Sequence, residues 1–403
     1  MPTALPVILF DDGRGELSPL TDLRPAFDIR TGALTTAERI RRMHAPPVLA
    51  WTALPELEAL RREMPDIAWA GSGQINGAAI YLSGRCPLPP AEVWTLQPGQ
   101  ALIERASGEI IAAHAANSAD HLGQIDSRKF AAIEHDGHAL LSRPWHVRKF
   151  RDACIAADLQ LLVGQTSAAL TAGVTLFGEK GHFIAPSARI YPSVVLDTEN
   201  GPIVIDEHAV VRPGAIISGP AYIGPHSTVL DRAVIRANTA IGPHCKVAGE
   251  VSGTIFQGFA NKAHDGFLGD SWVGEWVNLG AGTMNSNLLN TYSEIICRAT
   301  PDGPNERTGE TFLGAIIGDH VKTAICTRIM TGSILHTGSM FATTAPVSGT
   351  VGRFTWATDA GQRPYRFEKF LEVARAAMAR RKIEPTPAYV ARLRALAVAG
   401  RQG

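Results

Sequence analysis

From Ile205 onward, every sixth residue is isoleucine or valine: Ile205, Val211, Ile217, Ile223, Val229, Ile235, Ile241 and Val247. Four residues after each stands a small side chain in nearly every case: Ala209, Ala215, Ala221, Ser227, Ala233, Thr239 and Cys245. If such residues fell at random, the run would occur far less often than about once in a million. A period of six suits neither an amphipathic helix nor an ordinary hairpin. It suits a triangular prism in which each hexapeptide forms one flat face and a corner. The aliphatic then points into the lumen and the small residue packs near the turn. Gly, Asn, Asp and His tolerate the tight corner backbone. Three hexapeptides make a coil, and coils stack at the ~4.8 Å of neighbouring strands. Each coil covers the edges of the next, so only the two ends need capping.

The phase returns at Phe267, Val273 and Leu279, and again at Ile317, Ile329 and Leu335, with Thr323 the one polar lapse. IAPSARIYPSVV, from Ile184, reads as the opening coil. Residues 253–266 and 288–316 break the period and are predicted to be loops leaving a corner, where sites are usually found. The second holds a polar tip, PDGPNERTGE.

Residues 1–125 read as an α/β domain. LPVILFDD, PPVLAWT and AAIYLSG are apolar runs of strand length, alternating with the helical TTAERIRRM and LPELEALRREM, which implies a parallel sheet with crossovers. Residues 126–180 read as a helical connector, 181–345 as the prism, and 346–403 as a tail whose two helices are split by Pro385 and Pro387.

Lys+Arg and Asp+Glu both number 38. This balance advertises neither a nucleic-acid groove nor an anionic membrane surface, although a small-molecule site can be locally basic. Five scattered cysteines without a CxxC pair fit reduced buried thiols rather than disulfides or a zinc site. The N-terminus lacks a secretory pattern and no window approaches ~20 apolar residues, so a soluble cytoplasmic protein is expected.

The segment NKAHDGFLGDSWVGEWVNLGAGTMNSN closely resembles the acetyltransferase domain of the GlmU-like family, bifunctional bacterial enzymes that acetylate glucosamine 1-phosphate and couple the product to UTP. The resemblance supplies the left hand of the β-helix. It places His264 on the catalytic base, Asn287 on a residue lining the acetyl-CoA and sugar site, and Lys262 beside the base, holding the sugar phosphate. Asn278 and Ala281, within VNLGAGT, fall among substrate- or cofactor-binding positions. Leu288 and Phe267 each replace a tyrosine common in the family. The chemistry suits such a base: an amine must lose a proton as it attacks a thioester, and imidazole accepts protons near neutral pH. Against this stands the plainer reading of His264 as one more corner residue, as His226, His244 and His320 are expected to be. Asn287 could likewise be only a turn former.

GRGELSPLTDLRPAFDIRTG resembles the signature of sugar-phosphate nucleotidyltransferases, which implies a Rossmann-like domain with a phosphate-cradling loop. Arg14, Arg24, Arg30 and Arg85 are the candidate cations. Ala26 stands where the family has lysine. In YLSGRCPL, Arg85 stands where it has a metal-binding aspartate, so no metal ligand is assigned and Mg²⁺ is left open. Both halves together, with FDD and the MARRK of the tail, resemble a shorter GlmU-like family. That likeness implies acetyl-CoA and a sugar phosphate as substrates, UTP as a further one, and a homotrimer. Two other readings stay open: a nucleotidyltransferase whose prism only oligomerises, and a regulatory nucleotide-sugar-binding protein without catalysis.

Overall fold

The computed structural model describes residues 5–44, 49–64, 66–70, 77–117, 125–163 and 167–400. Residues 46–48, the start of the expected second strand, and 164–166 of the connector lie outside them. The chain forms two compact units. The first comprises residues 1–17, 23–29 and 34–143; the second takes 18–22, 30–33 and 144–403.

The first unit is a seven-stranded sheet. β1 (Val7–Phe10), β2 (Leu49–Thr52), β3 (Ala68–Trp69) and β4 (Ala79–Ser83) are parallel, in the order β3-β2-β1-β4. α1 (Thr36–His44) and α2 (Pro55–Arg62) are the crossovers. At the start of α1, Glu38 N donates to Thr35 Oγ1 (3.2 Å) and Thr35 N to Glu38 Oε2 (2.7 Å), a reciprocal capping box that fixes where the helix begins. The parallel sheet expected from the sequence is only part of the domain. β5 (Gln100–Glu104) and β6 (Glu109–Ala115) form an antiparallel hairpin, β6 pairs antiparallel with β4, and β7 (Ala131–His135) closes the edge beside β5. The helical part of 126–180 is α3 (His146–Leu162).

The second unit is a parallel β-solenoid of the hexapeptide type. Its longest face has nine strands, from 182–184 to 350–351. Down that face run Ile184, Ile205, Ile223, Ile241, Phe256, Val273, Ile317, Leu335 and Val351, each paired in register with the next and each buried. The small slot is as closed: Ala209, Ala215, Ala221, Ser227, Ala233, Thr239 and Cys245 are fully buried. The solenoid opens earlier than expected, with strand 175–177 pairing to 195–197.

Residues 253–266 are a correction. They do not leave the prism: Ile255 and Phe256 pair with Ala240 and Ile241, and Asn261 and Lys262 with Lys246 and Val247. This coil is a short one, and hydrogen bonding keeps it in register where the six-residue count fails. Residues 288–316 do leave, as an excursion containing the antiparallel pair 296–297 and 306–307 with an exposed tip.

One corner carries a ladder of rings. His208, His226, His244, Phe259, Trp276 and His320 all have φ between 52° and 61°. Successive centroids lie 4.8, 4.8, 4.7, 4.5 and 6.4 Å apart. Stacking offsets the cost of the left-handed backbone at non-glycine residues. The tail helices α4 (Phe367–Ala379) and α5 (Pro387–Ala399) meet its end, where Tyr389 Oη lies 2.7 Å from His320 Nε2 and Phe370 packs edge-on to the same ring. Thr386 caps α5 and Pro387 opens it. All five cysteines are free, but Cys326, at a corner with φ 56°, is exposed rather than buried. Among the described residues no helix is long and apolar enough to cross a membrane.

Adjacent residues of one strand test the lumen assignment. Ile217 is fully buried whereas Ile216, pointing outward, is 40% exposed. Ile217→Ala is expected to destabilise the solenoid by about 2–5 kcal/mol and Ile216→Ala by under about 1 kcal/mol, as read from chemical denaturation followed by circular dichroism.

Candidate active sites

In the first unit, β1 delivers Asp11 and Asp12 to a loop that turns on Gly13 (φ 69°) and Gly15 (φ 77°). A Cβ on Gly15 would come 3.0 Å from the Ser142 backbone, so the close approach needs glycine. Asp11 holds the loop: its carboxylate accepts from Gly13 N (3.0 Å) and Ala26 N (2.8 Å). Burial pushes its pKa up against those two bonds.

Arg85, at the end of β4, is completely buried. It pairs with Asp12 (3.2 Å) and Glu109 (2.8 Å) and donates to Leu141 O (3.1 Å). Burial alone would lower its pKa, but the two carboxylates outweigh that and raise it. Arg14 is exposed and approaches the same carboxylates, at 3.7 Å from Asp12 and 4.0 Å from Glu109. Arg24 is buried. Arg30 belongs to the second unit, where it too is buried: its N–H donates to Gln257 Oε1 (2.8 Å) and its guanidinium to the carbonyls of Gln257 and Ala33. Of the four arginines read from the sequence, Arg14 and Arg85 share partners and Arg14 alone faces solvent. The residues present do not fit a divalent cation, because guanidinium groups already neutralise the carboxylates at the strand end. Among the described residues, no three His, Cys, Asp or Glu side chains cluster as metal ligands would.

Other parts of PLTDLRPAFDIRTG serve the second unit. Asp22 is held below the usual carboxylate range: burial opposes this, but Arg353, at 2.7 Å, prevails. Ser18 Oγ lies 3.0 Å from His336 Nδ1, and Trp272 Nε1 donates to Arg30 O (3.1 Å).

In the solenoid, Lys262 stands in register between Val247 and Leu279, at a position that takes Ile190, Val211, Val229 and Val247 on the preceding coils. The residue is 2% exposed, and Nζ donates to Ala248 O and His264 O, both at 2.9 Å. Burial lowers its pKa to about 8, against a smaller opposing effect of Asp265. His264 follows on the exposed corner, and its imidazole makes no hydrogen bond or ion pair among the described residues.

Asn287 is tied elsewhere: Nδ2 donates to Asp270 Oδ2 (2.7 Å). Asp270 in turn is ion-paired with Arg148 (3.0 Å) and Arg151 (2.6 Å) of α3. Asn278 accepts from Asn261 Nδ2 (2.9 Å), and Ala281 O accepts from Cys326 N (2.7 Å). His264 and Asn287 share no hydrogen bond among the described residues. Sequence reasoning missed Arg148 and Arg151, whose partner lies 119 or more residues away, and Asn285. Buried Asn285 pins Gly269 through N–H···Oδ1 (2.7 Å) and Nδ2–H···O (2.9 Å). Its signal was its place inside TMNSN, two residues before the asparagine the resemblance singled out.

Residues 7–166 match the model of a family described as sugar nucleotidyl transferase. A stretch of 83 residues is 35% identical to the bifunctional sugar-1-phosphate nucleotidylyltransferase/acetyltransferase of Sulfurisphaera tokodaii, covering 21% of this chain and 20% of that protein. The match therefore spans one fifth of that relative's length. Two solved structures are similar over larger shares. The UDP-N-acetylglucosamine acyltransferase of Francisella novicida shares 15% identity over 54% of this chain and 75% of its own, with a TM-score of 0.20. The polysialic acid O-acetyltransferase OatWY shares 12% over 47% and 86%, with a TM-score of 0.18. Residues 7–166 are thus similar to the sugar nucleotidyl transferase family, and the same chain carries a hexapeptide-repeat solenoid.

Proposed function

We propose that the solenoid transfers the acetyl group of acetyl-CoA to the amine of an amino sugar phosphate, with glucosamine 1-phosphate the first acceptor to test and His264 the general base. One observation carries this reading: an exposed, unpartnered imidazole on a corner whose backbone is anchored by a buried lysine. A base must be free to take a proton yet fixed in position. In the reaction the amine nitrogen attacks the thioester carbonyl carbon and gives its proton to His264. The tetrahedral intermediate then collapses with loss of the C–S bond, and the CoA thiolate leaves to be protonated. Backbone N–H groups at the corner can hold the oxyanion. Lys262 acts as a positioning residue, since its ammonium is spent on the Ala248 and His264 carbonyls rather than on substrate. We assign Asn287, Asn278 and Ala281 to the surrounding substrate and cofactor surface. The working unit in this reading is a cytoplasmic homotrimer.

For the N-terminal domain, Arg85 favours a second reading over synthesis of UDP-N-acetylglucosamine from UTP. With Asp12 and Glu109 neutralised, the domain binds a nucleotide sugar without turning it over. Phosphoryl transfer needs cations aimed at the phosphates, not at carboxylates.

His264→Ala is expected to lower kcat/KM for acetyl transfer by about 10²–10⁴-fold, as followed by CoA release, with the melting temperature unchanged; an undiminished rate would remove His264 as the base. Lys262→Met is expected to keep the fold, since neighbouring rungs carry Val247 and Leu279, while lowering kcat about tenfold. The sign of the pH effect follows from its depressed pKa. The unfolded chain binds the extra proton between about pH 8 and the ordinary lysine value, so wild-type stability is expected to rise with pH across that window and the Met variant to lack this rise. UTP, N-acetylglucosamine 1-phosphate and Mg²⁺ together are expected to give no pyrophosphate, while UDP-N-acetylglucosamine still binds by calorimetry; pyrophosphate release would restore the nucleotidyltransferase assignment.

A further inference from the structure

One outward column of the solenoid is polar over four successive rungs. Lys246 pairs with Asn261, Asn261 bridges to Asn278, and Asn278 bridges to Lys322, so the four side chains lie on one face at successive coils. These residues line a cleft of about 390 Å³ whose other wall is the end of α4 with Arg380 and Arg381. Four cationic side chains therefore face one cavity, and no acidic residue is among the described residues that line it. Lys246, Arg380 and Arg381 form no ion pair among the described residues. Lys322 Nζ has only a long contact, 3.5 Å, to Trp276 O, and burial lowers its pKa to about 8. Asn261 donates to Asn278 Oδ1, which leaves the Asn278 amide N–H groups for a ligand. Trp276 and Phe259 of the ring ladder supply an apolar floor. A cavity of this size accepts a small organic ligand, and clustered cations with free amide donors suit a phosphate oxyanion.

We infer that this cleft is an anion subsite holding the phosphate ester of a small-molecule substrate through Lys246, Lys322, Arg380 and Arg381. Two phosphate esters carry the same chemistry, an acceptor sugar phosphate and the nucleotide end of coenzyme A. Only that choice rests on the acetyl-transfer reading; anion binding itself does not.

The test is calorimetry on the full chain with glucosamine 1-phosphate against glucosamine, and coenzyme A against pantetheine, with inorganic phosphate as a fifth probe. At least one phosphate ester is expected to bind about tenfold or more tightly than its phosphate-free counterpart. The double change Arg380→Ala with Arg381→Ala, and Lys322→Gln, should each weaken it about tenfold or more. Arg375→Ala, exposed on α4 outside the cleft, should leave it unchanged, and near-ultraviolet circular dichroism checks that each variant is folded. Whichever pair shows the difference identifies the source of the phosphate. Equal affinity within both pairs, unchanged affinity in both cleft variants, or an equal loss in Arg375→Ala overturns the subsite. Phosphate-ester binding lost in the cleft variants, without CoA release from acetyl-CoA and any amino sugar, would uphold the subsite and sink the acetyl-transfer reading. CoA release with KM unchanged in both cleft variants would do the reverse.

Discussion

Stacked burial of one lumen residue per face holds the solenoid together. Each aliphatic is covered from above and below by its register partners, so removing one uncovers two others. The same ladder fixes the corners, since the backbone hydrogen bonds that align lumen residues also set where each turn begins. His264 is placed by this arithmetic: Lys262 occupies a lumen register position, and the buried ammonium spans from Ala248 on one rung to His264 on the next. A core position has been given over to holding a corner still. The cost is visible in the lysine's depressed pKa, since a buried ammonium has exchanged water for two carbonyls.

What could be read from the sequence follows from where the constraint lies. Ile205 to Val247 were legible because lumen burial imposes one residue type at one spacing. Residues 253–266 were not, because strand pairing keeps Phe256 beside Ile241 while the intervening corner shortens, and counting cannot see a turn that drops residues. In the sheet domain, β6 reads EIIAAHA, an apolar run without alternation, and it was hidden for the same reason that fully buried strands resist assignment. His264 and Asn287 stood out through the motif around them. Their surroundings did not, since Asp270 is held by arginines of α3 that no local pattern connects to it. The arginines near Gly15 illustrate the converse: residue type suggested phosphate contacts, yet burial and pairing commit Arg30 and Arg85 to protein partners.

A net charge of zero conceals two opposite arrangements. Around Asp12 and Glu109, acids and guanidinium groups are paired within one cluster. Along the column from Lys246 to Lys322, cations gather without any acid among the described residues that line the cleft. The MARRK segment of the tail, which the sequence shows only as a basic run, supplies Arg380 and Arg381 to this second arrangement.

The excursion at 288–316 also bears on how the chain comes together. Most rungs find their partner within 15 to 18 residues, whereas Ile317 must join Val273 across 44. Lengthening that closure from 18 to 44 residues costs only about 0.8 kcal/mol at equilibrium. Its kinetic effect is larger: a growing coil stack can pair rung by rung through Asn278, which bridges back to Asn261, but the Val273 rung must wait for its next partner until the whole excursion has been synthesised. The last coils and the two tail helices therefore dock late, and ribosome-bound chains that end before Ile317 would expose an unfinished strand edge open to other chains.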